Sequence, residues 1–203
     1  MSTWSSMSPR MTTPRAYHHG DLRRALVEAA TELASAGGVD GVVLREAARQ
    51  VGVSPSAAYR HFPSREGLLA AVGSAARERL ARRMLAADGG IPRDHFRATG
   101  RAYIEFALDE PGLFEVAFRP CPPELYVPDA LSPYHVLSAA LDALDAAGEL
   151  AIPRAGAEEP AWAAVHGAAV LLGERMIPPT ERGRVVDATL AMVGDGLLRP
   201  ERG

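Results

Sequence analysis

The 203-residue chain contains no lysine; its 22 strongly basic residues are all arginine. Any contact between a basic side chain and phosphate therefore falls to arginine or to protonated histidine. A single cysteine, Cys121, excludes an internal disulfide and suits a reducing compartment, so a cytoplasmic protein with an ordinary loop or core thiol is expected. No apolar run approaches the ~20 residues that a membrane span needs, and no membrane partner is expected. The opening MSTWSSMSPRMTTPR lacks a continuous apolar stretch; residues 1–16 are expected to be a flexible tail and not a secretory signal. Strand-like alternation of useful length is missing, as are GxxxxGK[ST], GxSxG and a metal-ligating helix pair. His18 and His19 are adjacent, and neighbouring side chains diverge on most backbones. Enzyme chemistry, a metal and a cofactor are all unsupported.

What the chain has is apolar residues, 47% of the total, enough for a sizeable core. Its charge is unevenly placed: residues 1–84 carry a net +5, residues 85–203 a net −8. A basic N-terminal part beside an acidic remainder is the footprint of a protein that meets phosphate at one end.

Within the basic part, Leu44, Ala47, Ala48 and Val51 recur at helical spacing. Gly52 stands where a left-handed helix stop favours glycine. Val53 belongs inside the turn, Ser54 is a good N-cap and Pro55 suits the first position of a second helix running to about His61. Helix, short turn and helix form the helix-turn-helix, whose second helix enters the major groove of DNA. Ser54, Pro55, Ser56 and Ala57 would form the turn facing the groove. Arg60 is the one long side chain there able to fork onto a guanine edge, and Phe62 reads as a plug against the first helix. That first helix is expected over Leu22–Ser35, with Asp21 as N-cap and Gly37-Gly38 as its end. Arg23 and Arg24 read equally as phosphate contacts or as a solvated face.

The stretch AYHHGDLRRALVEAATELASAGGVDGVVLREAARQVGVSPSAAYRHFPSREGLLAAV resembles the DNA-binding domain of TetR-family transcriptional regulators over about Tyr17 to Met84. Tyr59-Arg60-His61-Phe62, then Ser64-Arg65-Glu66 and Leu68-Leu69, carry the most specific part. The resemblance implies that Tyr59, His61 and Arg65 contact backbone phosphate; Arg45 completes the DNA-facing set. Val43 departs from the family, where a threonine often caps the next helix, so that helix start would lean on Asp40 or solvent. Ala57 is a second departure, at a position where many relatives carry a hydroxyl. Farther on, FRATGRAYIEFALDEPGLFEVAF and WAAVHGAAVLL resemble the sensing half of a TetR subgroup with a Trp–His-Gly signature, here Trp162, His166 and Gly167.

The expected architecture is all-α, with about nine helices: a three-helix DNA-binding domain over residues 17–84, then a helical ligand-binding and dimerisation domain over 85–203. Helix four, from about Ser64 to Ala86, would join them. Helix eight is expected over Pro160–Met176 and helix nine over Thr180–Leu198. Phe96, Tyr103, Phe106, Phe114, Phe118 and Tyr126, with Trp162 and His166, are candidates to line an effector pocket; a filled aromatic core is the other reading of the same residues. Small and apolar positions on helices eight and nine, including Ala164, Ala168, Leu171, Ala188 and Met192, suit a four-helix dimer interface, as the resemblance implies, or burial within one subunit. The functional expectation is a homodimeric regulator that binds operator DNA and answers to a small-molecule effector. The alternative is a helical carrier or enzyme whose helical hairpin is only structural.

Overall fold

The computed structural model describes residues 19–87 and 89–200. The proposed tail, Tyr17 and His18 lie outside them. Nine α-helices follow one another among the described residues: α1 (His19–Gly41), α2 (Leu44–Val51), α3 (Pro55–His61), α4 (Arg65–Leu85), α5 (Pro92–Asp109), α6 (Pro111–Phe118), α7 (Pro133–Ala146), α8 (Glu158–Gly173) and α9 (Arg182–Leu197). The helix starts follow from sequence chemistry. Proline stands in the first turn of α3, α5, α6 and α7, where its missing N–H costs nothing. Ser54, Ser64 and Ser132 accept backbone N–H bonds with their hydroxyls at the starts of α3, α4 and α7.

Two expectations about the first helix are corrected. Asp21 lies inside the first turn of α1 and not at its cap, because the helix already begins at His19. Gly37 and Gly38 leave helical geometry, as expected of a stop, but a short helical segment resumes to Gly41. The start of α2 does without a side-chain cap at Val43, and Asp40 faces Arg65 at 3.9 Å.

The core runs through both halves. Leu26, Ala30, Ala47, Ala48, Ala58 and Phe62 bury the faces of α1 to α3 against Leu68, Val72 and Leu80 of α4. The same cluster continues through Tyr103, Ile104, Phe106, Leu113 and Ala169 of the second half. A separate cluster at the far end joins Phe96, Leu141, Leu144, Leu150 and Leu197. There the chain after α9 returns beside the α7–α8 connection: Ala151 N–H donates to Leu197 O and Arg199 N–H to Glu149 O, each at 2.8 Å.

α4 is the shared strut. Its Arg77 holds both carboxylate oxygens of Asp129, at 2.7 and 2.8 Å, and donates to Ala117 O. Planar two-point pairing of this kind is strong and directional. It fastens the Pro-rich segment after α6 to the middle of α4, and Arg119 adds an ion pair to Glu66 at 2.8 Å.

Candidate nucleic-acid interface and a cleft in the C-terminal half

α2 and α3 meet through a turn whose hydrogen bonds can be followed one by one. Gly52 has φ 77°, ψ 30°, a conformation that other residues adopt only at a cost. Its N–H donates to Arg49 O at 3.2 Å, and the next N–H, of Val53, reaches back to Ala48 O at 3.0 Å. These two bonds close α2 in a Schellman motif. Ser54 then caps α3 by accepting from Ala57 N–H at 3.3 Å. Ala48 and Ala58, both fully buried, let the two helices approach closely.

Phe62 seats this pair of helices. It is 2% exposed, and the Arg23 guanidinium lies 4.4 Å from its ring centre. Arg23, read from sequence as a possible phosphate contact, is thus stacked on the plug that holds α3 in place. Arg24 is drawn to Glu28 at 2.8 Å, and Arg49 forks onto Glu46. Arg65 donates to Val42 O at 3.0 Å and also to Val39 O, clasping the α1–α2 connection to the start of α4. No feature of the linear sequence pointed to this role, because its partners are backbone carbonyls more than twenty residues away. Among the described arginines up to Arg65, only Arg45 and Arg60 are left without a partner. Both are exposed, as are Ser54, Pro55, Ser56 and Tyr59. Ala57 and His61 are half-buried at the same end. Of the expected DNA-facing residues, Arg45 lies on α2 and Ser54 to His61 on the turn and α3, whereas Arg65 stands at the start of α4 with its guanidinium engaged by the Val39 and Val42 carbonyls.

In the second half, Tyr103, Phe114, Phe118, Trp162 and His166 converge. Ring centres of Phe114 and Phe118 are 4.8 Å apart, and those of Phe118 and His166 5.0 Å apart. Burial pushes the Tyr103 hydroxyl well above its ordinary pKa, and that hydroxyl is hydrogen-bonded to His166 Nδ1 at 2.8 Å. Loss of solvent lowers the His166 pKa, which favours the neutral ring. Phe96 instead packs with Leu137 and Leu141. It lines, with Tyr103 and Trp162, a cavity of only about 30 Å³. Phe106 is wholly buried core. Tyr126 is a correction: it is 56% exposed and stands beside Arg77, with the guanidinium 5.9 Å from its ring, because the Arg77–Asp129 pair draws its loop onto α4.

The ring cluster is filled on one side and open on the other. Phe114, Phe118 and His166 form the wall of a cleft of about 440 Å³ between α5, α6 and α8. Its remaining lining includes Ala107, Pro111, Ala169, Val170, and two carboxylates that sequence reasoning missed, Glu115 and Glu174. Hydrophobic periodicity marks the apolar residues around Glu115 and before Glu174 and gives no signal for the carboxylates themselves.

On α8 and α9, Leu171, Ala188 and Met192 are exposed, Met192 at 63%. Ala164 is half-buried. Ala168 is a second correction: it falls in phase with Ala161, Val165 and Leu172 and faces its own chain's core, so it is removed from any outward surface.

Comparison with known proteins converges on one lineage. Residues 26–72 match the family "Bacterial regulatory proteins, tetR family", and residues 96–193 match the "Tetracyclin repressor-like, C-terminal domain". The chain belongs to the TetR family. It is a DNA-binding transcriptional regulator of that family, with the all-helical fold the family implies. A protein of unknown function from Rhodococcus sp. RHA1 shares 30% identity and superposes with a TM-score of 0.68, over 91% of this chain and all of that one. A TetR-family regulatory protein from Rhodococcus RHA1, at 24% identity, gives a TM-score of 0.58 over 85% of this chain and 97% of its own. The HTH-type transcriptional regulator YobS of Bacillus subtilis is 30% identical over 114 residues, 55% of this chain. That match spans about half of YobS, 54% of its length. No described helix is long and apolar enough to cross a membrane.

Proposed function

We propose that this TetR-family regulator is a repressor that binds a pseudo-palindromic operator as a homodimer and is released by a small-molecule effector. The observation that carries the DNA-reading part is the pair Arg45 and Arg60. They stand exposed and unpartnered on the helix-turn-helix, while the arginines around them are spent on ion pairs, carbonyls or a ring. Arg60 would read a base edge, and Tyr59, His61 and Arg45 would fix the module on backbone phosphate. One helix-turn-helix buries little surface, so a two-fold partner is needed for a specific site. The exposed apolar residues of α8 and α9, Leu171, Ala188 and Met192, supply a surface for it.

Release would follow from a shift between two dimer shapes, one of which holds the recognition helices ~34 Å apart on successive major grooves. A ligand weakens DNA binding by the ratio of its affinities for the two shapes. α4 is the natural lever, since it packs on both halves. Selection of bound genomic fragments by the purified full chain tests the reading. The expected yield is a two-fold-related site whose affinity falls steeply with salt as counterions are released. No binding to any duplex at low salt would favour a helical carrier or enzyme instead.

A further inference from the structure

The open cleft has a charge bias. Glu115 and Glu174 are the charged side chains that line it, against a wall of Phe114 and Phe118. Loss of solvent disfavours the charged form of His166 on the same wall. Arg175 and Arg182 line an adjoining recess that shares Gly173 with the cleft, and Arg182 is drawn to Asp109 at 3.6 Å. Aromatic faces and carboxylates both attract a cation, and an anion finds no donor of charge on this wall. The volume of about 440 Å³ falls within the ~300–1,000 Å³ typical of small-molecule sites.

Glu115 also has a partner outside the cleft. Its Oε2 accepts the N–H of Val39, near the end of α1, at 3.1 Å. The residue before, Gly38, has φ 58°, ψ −149°, a region open essentially to glycine alone, and a Cβ there would collide with the same Oε2. On its other side Val39 offers its carbonyl to Arg65, which also holds Val42 O. The residues that lead into α2 are thus clasped between a carboxylate of the cleft and an arginine at the start of α4.

We propose that this cleft binds a lipophilic organic cation whose charge sits on Glu115, and that the bound cation weakens the hold of Glu115 on Val39. The cleft's occupant is thereby named by class, and the inference rests on the reading of the chain as an effector-responsive regulator. A carboxylate shared with a cation is a poorer acceptor for the Val39 N–H, so the α1–α2 connection gains freedom when the cleft is filled.

Calorimetric titration of the full chain with tetraphenylphosphonium and with tetraphenylborate, an anion of the same shape, tests the assignment. The phosphonium should bind more tightly than the borate by about tenfold, the scale of a close charge contact near a protein surface. Glu115→Gln keeps an oxygen for Val39 and should cost the phosphonium about tenfold; Glu174→Gln, which has no contact with α1, should cost less. Hydrogen exchange over residues 36–43 should quicken on adding phosphonium to the natural protein and stay unchanged in Glu115→Gln. Equal binding of the two ions, no binding of the phosphonium, or indifference to both substitutions would overturn the proposal. Operator affinity separates the two levels: phosphonium that binds and loosens residues 36–43 without weakening DNA binding leaves this assignment standing and removes effector release.

Discussion

The DNA-binding module and the sensing half solve opposite packing problems. From α1 to α3 the interior is made largely of alanine and leucine, with Ala30, Ala34, Ala47, Ala48 and Ala58 at 0% exposure. Small side chains bring the helices close, and the single aromatic in that interior among the described residues, Phe62, is stacked under Arg23. Around α5, α6 and α8 the interior is built of rings that contact one another at 4.8–6.3 Å and leave one edge open to a cleft. A module that must present two arginines in a fixed register gains from a tight core. A half that, on the proposed function, admits a ligand gains from large side chains whose outer faces stay uncovered. Both halves pack on α4, and the proposed release would pass through that helix.

The sharpest way to break this comparison is to hollow the tight side. Phe62→Ala removes the plug between α3 and α1 and should destabilise the protein by ~3–5 kcal/mol, read from chemical denaturation. A loss near the size of a surface substitution would mean that the module does not depend on its one buried ring. The next test is assembly. Leu171→Glu puts a charge on the exposed α8–α9 face and should yield monomers in sedimentation, with specific DNA binding lost although Arg45 and Arg60 are untouched. A variant that stays dimeric would place the interface elsewhere. Arg60→Ala is milder: it should narrow the gap between operator and scrambled duplex by ~1–3 kcal/mol. Equal weakening on both duplexes would reduce Arg60 to a phosphate contact.

The smallest expected effect is a pH dependence confined to the ring cluster. The His166 pKa is lowered on folding, so the unfolded chain binds the proton more tightly. The histidine's neutral form therefore favours the folded state above the ordinary value of 6.5, and that advantage is lost as pH falls through the lower folded value. Melting temperature should drop over this acidic window, and His166→Gln should flatten the drop. An unchanged pH profile in His166→Gln would show that the cluster tolerates the charged ring.

The difference between the halves also explains how much was legible in the sequence. Helix-turn-helix chemistry is local: Gly52, Ser54 and Pro55 announce the turn within four residues, and Phe62 and Arg60 follow at fixed offsets. The residues that matter most in the cleft are not local. Glu115 takes its meaning from Val39, 76 positions away, and Tyr103 meets His166 across 63. The roll of aromatics contains the five rings that cluster, of which Phe114, Phe118 and His166 line the cleft, but it could not tell that Phe106 is core or that Tyr126 stands exposed beside Arg77. Ala168 was misplaced because α8 is apolar or small around much of its circumference, so periodicity alone did not separate its inner stripe from its outer one.

The central claim is that the basic N-terminal module reads DNA through side chains left free by the packing around them. Binding of the full chain to a selected site and to a scrambled duplex, followed by fluorescence anisotropy across a salt series, tests it most directly. The account predicts that the logarithm of affinity falls linearly with the logarithm of salt on both duplexes, with a tighter hold on the selected site throughout. Affinity that is absent at low salt, or equal on the two duplexes at every salt concentration, would contradict it.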